Sequence, residues 1–321
     1  MPQHSAHHAR MLSPEEQKRL AHIIKAGKDL LSKLLTNQAE LHSLLNGLNG
    51  GYVAPQFGGD VIRDGERVLP TGRDIHAMDP WRVPSELAMQ RGEQIAQKLL
   101  AAHCDTAGKL PETVAQVLWG MDTIKTKGEP IAIVLALMGA RPERDAHGKI
   151  SAYTLLPLSE LGRPRIDVLM TASGIFRDTF AMQIDFLDRL VKDAAQADEA
   201  LEMNFIKKHV QEIMAEKRVS FEDATARIFT QRPGDYGNYV DDMIESSSWQ
   251  DENELGEMFF KRNAYAYGGA KQGKLCAAVL DALMTKVEHI SQEIDSVEYG
   301  ITDHQHYFAE SGGMRQAVAK R

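Results

Sequence analysis

One run, Asp167–Asp188, reading DVLMTASGIFRDTFAMQIDFLD, constrains the chain more than any other. Its opening residues form a short apolar run of the kind a buried strand carries. Ser173-Gly174 supplies a turn. Ile175, Phe176, Phe180, Ile184, Leu187 and Leu190 then recur at three- and four-residue spacing, the period of an amphipathic helix. Arg177 and Asp178 fall in the first helical turn, beyond the end of the strand, where α/β proteins place their ligand crevices. Structural β–α units share this pattern, so the residues alone leave a binding site and a plain folding unit both open.

The class that follows is α/β: a mixed sheet layer with flanking helices, then a mainly helical C-terminal half. The chain has 321 residues, enough for one large or two smaller cores. A net charge of −8 argues against a general nucleic-acid binder, which needs a basic surface. Two cysteines, Cys104 and Cys276, make no CxxC pair and fit a reducing, cytoplasmic setting. No apolar run approaches the roughly 20 residues of a membrane-spanning helix. The leader MPQHSAHHAR lacks the apolar core of a secretory signal; its histidines can hold metal only weakly, and a disordered leader is the expectation. The chain stops at AVAKR, inside an expected helix, which points to a piece of something longer.

Three regions are expected: a helical segment over 1–50, an α/β region over 51–197, and a mainly helical region over 198–321. Ser13-Pro14-Glu15-Glu16 opens the first helix with Ser at the N-cap, Pro at N1 and acids in the first turn. A second helix covers Asn37 to Leu48. From Gly50 to Pro84 the chain is dense in Gly, Pro, Asp and Arg, yet carries Val53, Phe57, Val61, Ile62, Leu69, Ile75, Met78 and Trp81. A disordered linker has no use for those side chains, so this is expected to be an ordered loop packed on the body. Ser85 to His103 is helical, Thr113 to Trp119 a buried strand, Gly120 to Thr126 a turn, and Glu129 to Met138 a helix. Ser151 to Leu156 and Ile166 to Met170 are strands. Beyond Asp188, helices are expected near 198–216, 220–229, 241–246, 252–262, 275–288 and 307–320, with a loop rich in Gly, Asp and Tyr over Gln231 to Tyr239.

Several polar constellations stand out. GGAKQGKL, Gly268 to Leu275, is nearly a phosphate-binding loop, but Leu275 stands where a Ser or Thr must hold Mg²⁺; a glycine-rich turn before a helix fits better. Asp303, His304 and His306 cluster ahead of a helix, as bases or ligands, or as its N-cap; their spacing matches no zinc motif. Asp74, His76 and Asp79, and separately Asp60, Arg63 and Asp64, fit salt-bridge networks bracing the long loop. Asp122, Lys125 and Lys127 follow a strand end, placed for chemistry or for capping.

The longer motifs carry more. PQFGGDVIRDGERVLPTGRDIHAMDPWRVPS, PETVAQVLWGMDTIKTKGEP with LMGARP, and LGRPRIDVLMTASGIFRDTF with QIDFLDRLVKDAA resemble the large, porphyrin-holding H subunits of magnesium chelatases. So do ALEMNFIKKHV, ATARIFTQRPGDYG, SSSWQDENEL, KRNAYAYG and ITDHQHYFAESGGM, in the same order. The related large subunit of aerobic cobaltochelatase shares a version of TGR…DP, SGIFRD and YAYG and is the second candidate. Three positions depart from the family pattern: Asp74 stands for the usual Asn, Met121 for Thr and Pro130 for Ser. The family's large polypeptide is several times longer, and its upstream His-Gly-Thr-His-Gly type segment with a nearby Glu is absent here.

The resemblance implies a C-terminal portion of a large subunit that binds protoporphyrin IX while AAA+ partners, the I and D subunits, hydrolyse ATP to drive Mg²⁺ insertion. ATP is then used by the partners and not bound here, and the remaining upstream part of the large subunit is itself a partner. The task needs oxygen ligands for a hard, reluctantly dehydrating ion, bases for two pyrrole protons and a deep cleft for a flat ring. On that reading Asp303, His306, Asp178 and Asp122 are the catalytic acids and imidazole, with Asp303 and Asp178 receiving the metal. Arg177, Arg73 and Lys125 hold the propionates, and Trp119, Phe176 and Tyr267 line the ring. No chelatase activity is expected from this chain alone. A cobaltochelatase-like piece acting on a corrinoid, and a non-catalytic tetrapyrrole-binding or docking module, are the alternatives.

Overall fold

In the computed structural model, which describes residues 12–58, 65–75, 78–294, 300 and 302–321, contacts divide the chain into Met1–Ala77 and Met78–Arg321. The first unit holds α1 (Pro14–Leu35) and α2 (Ala39–Leu48). Ser13 caps α1 as its sequence requires: its hydroxyl accepts from the Glu16 amide, and the Glu16 carboxylate accepts from the Ser13 amide at 2.7 Å. Neither helix buries a residue. Leu20, Ile23, Ile24, Leu31, Leu34 and Leu35 form an exposed apolar set along α1. β1 (Gln56–Phe57) and β2 (Asp74–Ile75) pair in parallel within this unit. Gln56 donates to the carbonyls of Val68 and Pro70, and Thr71 is held by Asn37 and Glu40 of the hairpin. The cluster Asp60, Arg63 and Asp64, with Val61, Ile62, His76 and the leader, lies outside the described residues.

The second unit opens with α3 (Glu86–Ala107), which Ser85 caps and which leads into β3 (Thr113–Leu118). α4 (Gly120–Lys125) and α5 (Glu129–Met138) follow, then the antiparallel pair β4 (Ala140–Arg144) and β5 (Ile150–Leu155), the single turn α6 (Leu158–Leu161) and β6 (Asp167–Ala172). After β6 come α7 (Gly174–Thr179), α8 (Ala181–Gln196), α9 (Phe205–Lys217), α10 (Phe221–Ala224) and β7 (Ile228–Thr230). α11 (Val240–Glu245), α12 (Glu252–Asn263), β8 (Tyr265–Gly268), β9 (Lys271–Leu275), α13 (Ala277–Met284), β10 (His289–Gln292) and α14 (Gln305–Ala319) complete it.

The main sheet has six strands in the order β10-β3-β6-β7-β8-β9. The first four run parallel, and β8 and β9 turn back antiparallel. Every residue of β3 and β6 is buried, as central parallel strands covered on both faces must be. One apolar cluster packs α3, α5 and α8 against one face; a second packs α9, α12, α13 and α14 against the other.

The expected class holds, with local differences. The sheet draws strands from both sides of residue 197, and contacts divide the chain at 77/78. Gly120 to Lys125 is a helix rather than a turn. The helix after Ser173 breaks at Phe180 into α7 and α8. The expected helix over 220–229 is one turn followed by a strand, because Ile228-Phe229-Thr230 is a fully buried β-favouring run. The Gly268–Leu275 run is the β8–β9 hairpin, whose Gly268 and Gly269 turn at φ of 108° and 57°, so it is no phosphate loop before a helix. Pro130 sits in the first turn of α5, where a missing amide hydrogen costs nothing, so its departure from the family pattern is locally harmless.

Candidate functional site

The parallel strands β3, β6, β7 and β10 all point their carboxyl ends to one edge of the sheet, and a cavity of about 580 Å³ opens there. Its walls follow those strand ends: Trp119 to Asp122 and Lys125 after β3, Ser173 to Ile175 after β6, Gln231 and Tyr236 to Asn238 after β7. Asp241 of α11 and the start of α14, with His304, His306, Tyr307 and Glu310, close the remaining side.

Two strand ends are locked together at the floor. The Ser173 amide donates to the Leu118 carbonyl at 3.0 Å, and its hydroxyl accepts from the Phe176 amide at 3.1 Å and the Gly120 amide at 3.2 Å. Glycine is required on both sides of that junction. A Cβ on Gly120 would meet Ile175 at 2.5 Å, and one on Gly174 would meet the Tyr236 ring at 2.5 Å.

The loop after β7 is pinned by Arg177. Its guanidinium is buried and donates to the carbonyls of Arg232 at 3.0 Å and Asp235 at 3.1 Å. It also pairs with Asp178 at 2.7 Å, and the Tyr236 hydroxyl donates to the same carboxylate at 2.6 Å. That pairing with Arg177 holds the Asp178 carboxyl below its usual range. Tyr267, on β8, donates to the Gln231 carbonyl at 2.7 Å. Phe176 is fully buried and stacks on Phe180.

Of the expected site residues, Trp119, Asp122, Lys125 and His306 meet in the cavity. Arg177, Phe176 and Tyr267 stand behind its wall, because their helix and strand faces turn toward the core and the loop backbone. They support the cavity and do not line it. Asp178 is taken by Arg177 and Tyr236, and Asp303 closes a turn by accepting from the Gly300 amide at 2.7 Å. Neither belongs to a metal cluster: among the described residues no three His, Cys, Asp or Glu side chains gather closely enough to hold an ion. Arg73 belongs to the first unit. His304 is the N-cap of α14, its ring nitrogen accepting from the His306 amide, and it also lines the cavity.

The cavity also contains groups that sequence reading passed over. Tyr307 stacks on Trp119 with ring centres 4.8 Å apart and planes at 19°, and His306 approaches the same indole edge-on. His306 shares a hydrogen bond with Asp241 at 3.0 Å. Met121, where the family pattern has Thr, is 45% exposed on the rim. Glu310 is the most distinctive. It is only 6% exposed, one carboxylate oxygen accepts from Asn238 at 2.8 Å, and the other is buried and completes no hydrogen bond among the described residues. Burial raises its pKa to about 7, against the opposing pull of Asn238 and the nearby Thr171 hydroxyl, with Asp241 adding to the rise. Thr171 Oγ1 lies close enough to favour the charged form but completes no hydrogen bond. Glu310 stands four residues after His306, the helical spacing that places both on one face, and that was the readable signal.

A doubly covered α/β sheet with a crevice of acids, imidazoles and stacked aromatics at its strand ends places the chain among α/β proteins whose crevice lies where that class puts its ligand sites. Comparison with known proteins narrows the class. Residues 2–321 match the model of the CobN/Magnesium Chelatase family, and the chain belongs to that family. It is 53% identical over 310 residues to the magnesium-chelatase H subunit of Chlorobaculum parvum, covering 96% of this chain and 24% of that protein. The aerobic cobaltochelatase CobN protein of Sinorhizobium sp is 31% identical over 287 residues, covering 87% of this chain and 22% of that protein. Among solved structures, the catalytic subunit of cobaltochelatase from Mycobacterium tuberculosis superposes with a TM-score of 0.83 at 35% identity, over 88% of this chain and 24% of that one. The chain thus spans about a quarter of the length of these relatives.

Proposed function

We propose that this chain is the C-terminal portion of the porphyrin-binding large subunit of a magnesium chelatase, and that its crevice forms part of the tetrapyrrole site. One observation carries the reading: the cavity at the parallel strand ends has the size of a small-molecule site and offers the stacked Trp119–Tyr307 pair beside acids, imidazoles and one lysine. A flat apolar ring gains most from such an aromatic wall. Lys125 is the lining cation, suited to a propionate. Asp122, Asp241 and Glu310 are carboxyls among the lining residues, and Asp303 and Asp178 stay the proposed receivers of the substrate ion.

On this reading the reaction is ATP-dependent insertion of Mg²⁺ into protoporphyrin IX, in the cytoplasm, on the way to chlorophyll or bacteriochlorophyll. ATP is consumed by the AAA+ partners, the I and D subunits. The rest of the large subunit supplies what a quarter-length chain does not, so the chain alone performs no insertion. The 53% identity to a magnesium-chelatase protein, against 31% to a cobaltochelatase protein, supports magnesium over cobalt. No helix among the described residues is long and apolar enough to cross a membrane.

The test is a titration with a soluble porphyrin, following tryptophan fluorescence. Quenching that saturates at micromolar porphyrin is the expected result. No quenching at those concentrations contradicts the binding reading and favours a docking module. Tighter binding of a corrinoid than of a porphyrin transfers the reading to the cobalt branch.

A further inference from the structure

We infer that the apolar stripes of α1 and α2 are a docking surface, and that the remainder of the large subunit covers them with an apolar groove rimmed by acids. The inference rests on the reading of the chain as one portion of a longer subunit and adds to it the surface by which the portions join.

The stripe on α1 is wide. Leu20, Ile23, Ile24, Leu31, Leu34 and Leu35 fall within about 120° of one another at about 100° per residue, and each is at least 44% exposed. Leu41, Leu44, Leu45 and Leu48 repeat the pattern on α2, each at least 48% exposed. Neither helix buries a residue. A helix draws most of its stability from packing such a face, and a monomer rarely leaves a large contiguous apolar patch in water. Lys33, on the opposite side of α1, pairs with Glu66 of the same unit at 3.5 Å, so that tie leaves the stripe free.

Width, charge and length identify the occupant. A two-stranded coil between two copies needs only a narrow seam, whereas a stripe this wide packs against the body of a domain. Arg19 and Lys28 border its two edges. Lys18, Lys25 and Lys33 outweigh Glu15, Glu16 and Asp29 on the same helix, so α1 is basic in a chain of net charge −8. Two copies paired helix to helix would set like charges edge to edge, while a groove with acidic rims takes both edges. Both helices lie inside residues 2–321, the stretch that matches the family. The chain spans 24% of the Chlorobaculum parvum H subunit, so about three quarters of that protein lies outside the match, and a polypeptide of that size supplies the covering body.

The experiment mixes this chain with the rest of the Chlorobaculum parvum H subunit, made by deleting the stretch that matches this chain and used once circular dichroism shows it folded. The two are expected to co-elute on gel filtration, with amide exchange over 14–48 slowed at least about tenfold. Leu31→Glu combined with Leu34→Glu alters two exposed positions, so it leaves circular dichroism and porphyrin binding unchanged and weakens capture at least about tenfold. The intact Chlorobaculum parvum subunit gives a second reading that needs no cut: amides aligned with 14–48 exchange at least about tenfold more slowly there than in this chain alone. Equal exchange in the two overturns the inference. So does a dimer of this chain by light scattering, or its capture by phosphatidylglycerol vesicles, where the double variant abolishes it; the occupant is then a second copy or a lipid surface. The porphyrin titration reads the other claim separately. Capture without porphyrin binding removes the tetrapyrrole reading of the crevice and leaves this surface, while porphyrin binding with neither capture nor slowed exchange removes the surface and leaves the crevice.

Discussion

Arg177 is the residue on which a contact with ligand and a role in scaffolding diverge most clearly. Its guanidinium is 7% exposed and donates to two backbone carbonyls of the loop that walls the cavity. Truncation to Ala or Met takes the Arg177 donor from the Asp235 carbonyl, at about 1–3 kcal/mol, while the Arg232 carbonyl keeps the Asp235 amide as donor. Its ion pair with Asp178 adds little, because the Asp178 side chain is 47% exposed and water screens it. The sum is a loss of about 2 kcal/mol, most of it local to the loop after β7. Urea unfolding of the wild type and of Arg177→Met gives the total, and amide hydrogen exchange over 231–239 gives the location. The expected result is a midpoint lowered by that amount, with exchange in the loop accelerated selectively. Stability within about 0.5 kcal/mol of wild type with unchanged exchange would refute the scaffolding argument. Porphyrin affinity is then expected to fall because the wall has moved, and Arg177→Lys, which reaches one carbonyl at most, falls between the two.

Other positions give equally definite outcomes. Asp167 is wholly buried; burial alone would raise its carboxyl, but Arg227 at 2.8 Å and His209 at 2.9 Å hold it down to about 2. A depressed folded pKa means stability present above the ordinary value near 3.8 and lost as pH falls through about 2, roughly 2–3 kcal/mol in all. Asp167→Asn should lose that acid dependence in urea titrations between pH 4.5 and 2, and lose about 3–5 kcal/mol at neutral pH because Arg227 is left buried without its counter-charge. Gly174→Ala drives a methyl into the Tyr236 ring, so it should lower thermal stability by about 1–3 kcal/mol and break the Tyr236–Asp178 hydrogen bond.

The sequence made the β–α unit at Asp167 legible because apolar runs and helical periods report burial directly. The same periods did not report which buried face looks at a ligand. Phe176 and Ile175 are neighbours, yet Phe176 turns into the core and Ile175 into the cavity, a difference of helical phase that only the packing of α7 on β6 decides. β7 is three residues long, too short for alternation to distinguish it from a helix end. The glycine-rich turn expected over Gly268–Leu275 is there, with positive φ at Gly268, Gly269 and Gly273, but its flanks are the strands of a hairpin, too short and polar for a period to report. The spacing of Glu310 from His306 was readable, but nothing in a helical FAESGG run announces burial; that environment comes from Thr171 and Asn238, far away in the chain.

The central claim is that the ring occupies the crevice at the strand ends, and filling that crevice tests it most directly. Ile175 lines the cavity and is 45% exposed, so Ile175→Trp adds bulk there. Affinity for a soluble porphyrin, read from its absorbance shift, is expected to fall at least about tenfold, or 1.4 kcal/mol, with circular dichroism and thermal stability unchanged. Unchanged affinity in that folded variant would place the ring elsewhere and contradict the account.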